Sequence, residues 1–293
     1  MFEKGRLGLG TVQFGLPYGI SNTNGQTALD ESHRILQVAS ENGINILDTA
    51  VSYGQSESTI GSYQSGNFKV VTKIPFLNLE SPQIGKQVTR HFNSSRLQLN
   101  SDSVYGLLLH RPDQLLEPRG KEIWHELEIL KNTGFAEKIG ISISSFFDLD
   151  TILNQFAIDL VQAPFNPFDQ RLISGGWLKR LKSQGVEIHS RSAFLQGLLL
   201  MEQHEIPKKF HRWAPNFDHW HTSLRDLGIS PLEACLQFPF SIPEIDCVLV
   251  GVNSVVQLGE ILEISQKEFE DDYWSSFECN DDLLISPSLW ERL

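Results

Sequence analysis

Positive charge is what this sequence has least of. Lys and Arg number 24 against 36 Asp and Glu, a formal net charge of −12 over 293 residues. The basic footprint of a nucleic-acid binder is therefore missing, and no basic run offers itself to an anionic membrane. Long apolar runs are missing too. Nothing approaches about 18 consecutive uncharged apolar residues, so no membrane span is expected. The first residues, Met1-Phe2-Glu3-Lys4-Gly5-Arg6, carry no apolar core of the kind a signal peptide needs. Cysteine is scarce: Cys235, Cys247 and Cys279 are an odd number without metal-like spacing, and they read as reduced thiols in a cytoplasmic protein. No low-complexity segment, short repeat or break in composition divides the chain, so a single domain over 1–293 is expected.

What is present is alternation. Apolar residues make up 40% of the chain, enough for the core of one α/β barrel. Strand-like runs at 7–12, 44–48, 68–73, 104–110, 137–142, 159–163, 186–190 and 247–251 are separated by helix-like stretches at 28–42, 82–97, 119–133, 146–156, 173–184, 231–239 and 254–266. Eight such units predict a (β/α)8 TIM barrel. The competing fold, a doubly wound sheet, would want a Gly-x-Gly-x-x-Gly turn after the first strand. Gly8-Leu9-Gly10 lies inside the strand pattern and Phe14-Gly15 follows it, so that spacing fails. Residues 200–228 hold prolines and aromatics, and they read as a long loop with a short helix over the barrel mouth. After 267 comes an acidic turn (Glu268, Glu270, Asp271, Asp272), then an apolar segment expected to pack on the barrel.

In a barrel of this type the chemistry sits at the C-terminal ends of the strands. Asp48 ends the second strand and Tyr53 follows on its loop. Lys73 ends the third strand and His110 the fourth. Taken singly, each has an ordinary explanation: a turn cap, a packing phenol, a solvated amine, a structural imidazole. Four such residues at successive strand ends are harder to dismiss. A buried ammonium at Lys73 would lower the Tyr53 pKa, and Asp48 would keep Lys73 charged. Tyr53 could then protonate a carbonyl oxygen while His110 hydrogen-bonds and orients it.

Five stretches give this pattern a precedent: Leu-Gly-Thr-Val-Gln-Phe-Gly (9–15), Leu-Asp-Thr-Ala-Val-Ser-Tyr-Gly-Gln-Ser-Glu (47–57), Thr-Lys (72–73), Leu-Leu-His-Arg-Pro-Asp (108–113) and Gln-Ala-Pro-Phe-Asn (162–166). Together they resemble the aldo-keto reductase superfamily, in its order, from about residue 7 to 265. The resemblance implies a (β/α)8 barrel, reduction of an aldehyde or ketone with NAD(P)H, and a catalytic tetrad of Asp48, Tyr53, Lys73 and His110 with Tyr53 as general acid. It implies cofactor contacts from Gly10, Thr11, Asp48, Ser142, Gln162, Ser192, Gly251 and Asn253. Ser142 and Gln162 would hold the nicotinamide carboxamide, although Ile143 stands where an Asn commonly follows. Arg191 stands where many members stack an aromatic on the nicotinamide, and a guanidinium can stack through its plane. An ion pair to an Asp or Glu is the alternative for Arg191. Gln257 falls where an Arg often grips the 2′-phosphate, and Glu260 where a Glu often meets the adenine. No Lys or Arg lies between 251 and 260. NADP(H) is still favoured over NAD(H) on the resemblance, with a small, sugar-derived carbonyl compound as the expected substrate.

Two other readings stay open. Some members of the superfamily are cofactor-sensing binding subunits with little turnover. A metal-dependent barrel isomerase or lyase would want carboxylate and His ligands on several strand ends, where only Asp48 and His110 qualify. His204, His211, His219 and His221 lie on a proline-broken segment without diagnostic spacing, so no metal is expected. Tyr18 and the aromatics from Phe210 to Trp220 could wall a substrate pocket or simply pack.

Overall fold

The structure, a computed structural model, describes residues 4–63, 65–267, 269 and 273–293, and for Lys4 the backbone only. Eight parallel strands close into a barrel in chain order: β1 (Leu7–Gly10), β2 (Ile46–Asp48), β3 (Lys69–Ile74), β4 (Val104–Leu109), β5 (Ala136–Ser142), β6 (Leu160–Pro164), β7 (Glu187–Arg191) and β8 (Cys247–Gly251). Closure is explicit in the register, where Leu7 pairs with Val248 and Gly10 with Gly251. The (β/α)8 expectation holds.

Alternation along each strand sorts the side chains. Ile46, Val71, Leu108, Leu160, Cys247 and Leu249 form one buried cluster, the filling of the barrel. Their neighbours, such as Leu47, Leu107, Leu109, Val248 and Val250, join the much larger cluster under the helices. Those helices are α1 (Leu29–Glu41), α2 (Ser56–Ser62), α3 (Ile84–Leu99), α4 (Gly120–Asn132), α5 (Leu149–Gln155), α6 (Arg171–Ser174), α7 (Trp177–Ser183), α8 (Ala214–Leu227), α9 (Pro231–Phe240), α10 (Val255–Glu263) and α11 (Asp282–Ile285). The N-terminal turn is tied down by Arg6, which donates to the carbonyls of Phe240, Ile242 and Ile245 at the end of α9 and beyond.

Three expectations need correction. The first strand ends at Gly10 rather than residue 12, because the Thr11 N–H turns to donate to Asp48 O at 2.9 Å and Val12–Phe14 tightens into a 3-10 turn. The helix expected over 173–184 is two, α6 and α7, broken at Gly175-Gly176, where Gly176 takes φ +68°. The segment 200–228, expected as a long loop with a short helix, is two 3-10 turns (Gln203–Glu205 and Lys208–Trp213) leading into the 14-residue α8. Pro215 sits in the first turn of α8 and starts that helix instead of breaking it. Phe217, Trp220 and Leu224 form its buried face, and Trp220 packs edge-on against Phe168 and Phe277. The acidic turn at Glu268, Glu270, Asp271 and Asp272 lies outside the described residues. The apolar tail does pack: Leu284, Ile285 and Trp290 are buried, and the Trp290 indole donates to Leu284 O.

The lower end of the barrel is closed by a polar cluster that the strand pattern does not announce. Glu187, at the start of β7, accepts from Tyr105 Oη at 2.7 Å, pairs with Lys138, and meets His189 Nε2 at 2.6 Å. The surrounding donors hold its carboxyl down near pKa 2 against the opposing effect of burial.

Candidate active site

Asp48, Lys73 and His110 come together at the upper end of the barrel, as their strand positions require. Lys73 is fully buried and its ammonium donates to Asp48 Oδ1 at 2.6 Å, Asp48 Oδ2 at 2.7 Å and Thr49 O at 2.8 Å. Gln162 Nε2 adds a 2.6 Å bond to Asp48 Oδ1, and Ser142 Oγ donates to Gln162 Oε1 at 3.1 Å. Ser142 and Gln162 thus stand behind Asp48 with both ends of the Gln162 amide engaged, and neither lines the cavity described below.

The loop that carries Tyr53 is fixed by the polar residues of its own motif. Thr11 Oγ1 donates to Asp48 O, Ser56 Oγ to Thr11 O, Thr49 Oγ1 to Ser56 Oγ, and Thr72 Oγ1 to Glu57 Oε1 at 2.6 Å. Ser56 and Glu57 are buried. A Cβ on Gly15 would stand 1.7 Å from Tyr53 O, and one on Gly54 (φ +57°) would stand 2.5 Å from Gly15 O, so only glycine lets these two turns touch.

Tyr53 and His110 face one another edge-on, ring centres 5.9 Å apart, and the Lys73 ammonium lies 4.9 Å from the Tyr53 ring centre. Ser52 Oγ meets His110 Nδ1 at 3.3 Å, which leaves Nε2 as the nitrogen open to the cavity. Burial pushes the His110 pKa down to about 4, Lys73 and Arg191 push the same way, and Asp48 opposes them. The ring is therefore neutral at ordinary pH, and a proton on Nε2 makes it a donor. Burial, then Asp48, raises the Tyr53 pKa above its ordinary value, so the phenol is protonated. The sequence suggested that Lys73 lowers it. Burial and Asp48 outweigh any such pull, and the cation that draws the phenol down is Arg191. Burial pulls the Lys73 pKa below its usual value, against Asp48.

A cavity of about 650 Å³, a size typical of ligand sites, opens over these groups. Gly10, Thr11, Asp48, Tyr53, His110, Arg191 and Ser192 line its inner part, and Gly251, Asn253, Gln257 and Glu260 line it toward α10. Arg191 has no ion pair with an Asp or Glu among the described residues. Its Nη2 donates to Ile143 O at 2.7 Å and its Nη1 to Ser192 Oγ at 3.0 Å. Sequence reasoning missed most of the wall after β7. There Ser192, Leu195, Gln196 and Gly197 all take positive φ, a run of left-handed backbone of the kind found at binding sites. Ile20 N–H donates to Gln196 O at 2.9 Å and ties this wall to the first βα loop. Of the aromatics left open between pocket wall and packing, Tyr18 lines the cavity, whereas Trp213 and Trp220 belong to the core.

The residues present suit a dinucleotide. Asn253 Oδ1 and Gln13 Oε1 are buried acceptors without a partner among the described residues, and Gln13 and Asn253 both line the cavity. They could take hydroxyl or amino donors of a nucleoside. The start of α10 is less open to phosphate than its sequence suggested. Asn253 N–H is held by Gln257 Oε1, Gln257 N–H by Ser254 Oγ, and Val255 N–H by the Glu31 carboxylate at 2.7 Å. Among the described residues no group of three or more His, Cys, Asp or Glu could hold a metal ion. No helix among them is long and apolar enough to cross a membrane.

Comparison with known proteins places this geometry. Two solved structures share the fold: aldo-keto reductase AKR11C1 from Bacillus halodurans in its holo form (TM-score 0.73, 20% identity, 93% of this chain and 90% of that one) and the glycerol dehydrogenase AKR11B4 from Gluconobacter oxydans (TM-score 0.71, 19% identity, 96% and 92%). Among curated proteins, the aldo-keto reductase YhdN of Bacillus subtilis (strain 168) is 26% identical over 181 residues, 58% of this chain. The match spans about half (53%) of that relative's length. The sequence profile described as the Aldo/keto reductase family matches residues 6–280, a span that contains β1 through β8 and every side chain of the cavity. The chain therefore belongs to the aldo/keto reductase family.

Proposed function

We propose that this chain, working as one unit over 1–293, reduces a small aldehyde or ketone to the alcohol with a nicotinamide dinucleotide. The observation that carries the reading is the placement of the Tyr53 phenol on the cavity wall, edge-on to His110 and beside the Asp48–Lys73 ion pair. When bound, the cofactor supplies the hydride. Tyr53 gives its proton to the carbonyl oxygen. His110 Nε2–H donates to the same oxygen and orients it. Asp48 and Lys73 hold the strand ends and the Thr49 carbonyl in place under Tyr53. Gly10, Thr11, Arg191, Ser192, Gly251, Asn253, Gln257 and Glu260 would hold the cofactor. Ser142 and Gln162 come to the carboxamide through the resemblance alone. Their hydrogen bonds support a positioning role on Asp48.

Around the mouth, Tyr18, Ser21 and Gln196 offer polar groups, which suits a sugar-derived carbonyl compound. Three free, buried cysteines suit a cytoplasmic setting.

The resemblance favours NADP(H). One observation favours NAD(H) instead: the Glu31 carboxylate occupies the first N–H of α10, with Glu260 on the same helix, and a 2′-phosphate there would meet negative charge. Titration with NADPH and NADH, followed by tryptophan fluorescence, decides between them.

The Tyr53→Phe variant tests the chemistry. It is expected to bind cofactor as the unaltered protein does and to lose turnover by about 100-fold or more. Unchanged turnover would refute the acid role of Tyr53. Cofactor binding without any turnover in the unaltered protein would mark a cofactor-sensing subunit.

A further inference from the structure

Arg191 is a fixed and unbalanced positive charge in the inner half of the cavity. Both of its acceptors, Ile143 O and Ser192 Oγ, are neutral. Among the described residues, the other ionisable side chains on the cavity wall are Asp48, Tyr18, Tyr53, His110 and Glu260. Asp48 is neutralised by Lys73. The phenols of Tyr18 and Tyr53 stay protonated and the imidazole stays uncharged. Glu260 stands on α10, away from the tetrad. The reach of the guanidinium is visible on its neighbours. Arg191 pulls Tyr18 and His110 downward together with Lys73, and it pulls Tyr53 downward against a larger upward push from Asp48.

We infer that Arg191 makes this site hold the reduced form of its nicotinamide dinucleotide more tightly than the oxidised form. The inference rests on the carbonyl-reduction reading above. The two forms share their phosphates, riboses and adenine. They differ at one ring, uncharged when reduced and carrying one positive charge when oxidised. A hydride passes only between atoms in contact, so the ring must lie against the carbonyl that Tyr53 protonates. That places it inside the field that already acts on Tyr53. Repulsion between the guanidinium and the ring then weighs on the oxidised form alone, in a cavity where water does little to screen it. All other contacts cancel in the comparison. The functional result is a resting complex that waits with reduced cofactor, and faster departure of the oxidised cofactor after turnover. The tether to a backbone carbonyl matters here, because a mobile side chain would swing away from a like charge.

The test is equilibrium binding without substrate. The purified protein is titrated with NADPH and NADP+, and with NADH and NAD+, by intrinsic tryptophan fluorescence and by calorimetry. The reduced form is expected to bind on the order of tenfold more tightly, equivalent to about 30 mV in the potential of the bound couple. Arg191→Met is expected to bring the two dissociation constants within about threefold of each other, mostly by strengthening the oxidised complex. Arg191→Lys keeps a charge and is expected to retain most of the difference, and Arg191→Gln provides a second neutral variant should Met disturb the fold, as judged by circular dichroism. Equal affinities in the unaltered protein, or a ratio that survives in a folded neutral variant, would overturn the inference while leaving the reductase reading intact. Failure of all four nucleotides to bind would bring down both.

Discussion

Replacing Lys73 by Met tests how the tetrad is held together. Met nearly matches the volume of the lysine stem, so the change removes charge and donors with little change in packing. The structure fixes what is lost. Three hydrogen bonds disappear, two of them to Asp48 and one to Thr49 O. Asp48, whose side chain is 8% exposed, keeps only the bond from Gln162 Nε2. A buried carboxylate stripped of its partner typically costs about 3–5 kcal/mol, a large fraction of the roughly 5–15 kcal/mol that keeps a domain folded. The variant has a way out: Asp48 can take up a proton. Its folded pKa would then rise above the unfolded value of about 3.9. A raised pKa means the neutral form is the one the fold tolerates, so the variant regains stability as pH falls and loses it as pH rises through the folded pKa. Urea unfolding, followed by tryptophan fluorescence at pH 7.5 and pH 5, should show a deficit of about 3–5 kcal/mol that shrinks at the lower pH. The double variant Asp48→Asn, Lys73→Met removes the stranded charge and should recover much of the loss at pH 7.5. A single variant within about 1 kcal/mol of the unaltered protein, or a double variant no better than the single, would refute the account of Lys73 as the neutraliser of Asp48.

Gly15→Ala would push a methyl group into Tyr53 O, where the ideal position lies at 1.7 Å. The Tyr53 loop must then move by about 1 Å, and turnover should fall about 100-fold in a protein that still folds; activity close to normal would show that the loop tolerates displacement. Glu187→Gln removes the charge that Tyr105, Lys138 and His189 share and should destabilise the barrel by about 1–3 kcal/mol at pH 7. The Glu187 pKa of about 2 lies below its unfolded value, so its contribution is present above about pH 4.5 and fades as pH falls toward 2. Stability of the variant should accordingly depend less on acid, and an unchanged acid limb would count against the network. His110, with a pKa of about 4, should show flat imidazole proton shifts by NMR from pH 8 down to about 5 and titrate only below that. Its folded pKa lies below the unfolded 6.5, so the stability it contributes is present above about pH 6.5 and lost as pH falls through 4. A midpoint near 6.5 would mean the ring is solvated and free to charge.

Strand ends were readable because the barrel turns a local pattern into a global position. Asp48 and His110 each close an apolar run, Lys73 sits one residue before the end of β3, and parallel closure in chain order brings successive C-terminal ends together without further information. Helices with one apolar face, such as α1 with Ile35, Leu36 and Ala39 buried, announced themselves in the same way. Residues 200–228 were misread because proline is ambiguous: it ends a helix from inside and starts one from the first turn. Only the buried face at Phe217, Trp220 and Leu224 shows which applies at Pro215.

The contacts that could not be read are those that join strands far apart in sequence. Gln162 reaches Asp48 across 114 positions, and Tyr105 reaches Glu187 across 82. A polar residue inside a strand pattern carries no mark of which partner it will face, and the same amide could as well point to solvent or to a ligand. The motif at 47–57 shows the opposite limit. Its sequence is specific and marks Asp48 and Tyr53, yet the supporting roles of Thr49, Ser56 and Glu57 were not legible in it. Tyr53 and Asp48 face the cavity, while Thr49, Ser56 and Glu57 turn inward to Thr11 and Thr72. What separates the two groups is the direction each side chain takes, set by the turn at Gly15 packing on the turn at Gly54. A change at Ser56 or Glu57 should therefore disable the site without touching any reacting atom, by releasing the loop that holds the phenol. Substitution data on this motif consequently need a binding or structural readout beside the rate before a residue in it is assigned to the chemistry.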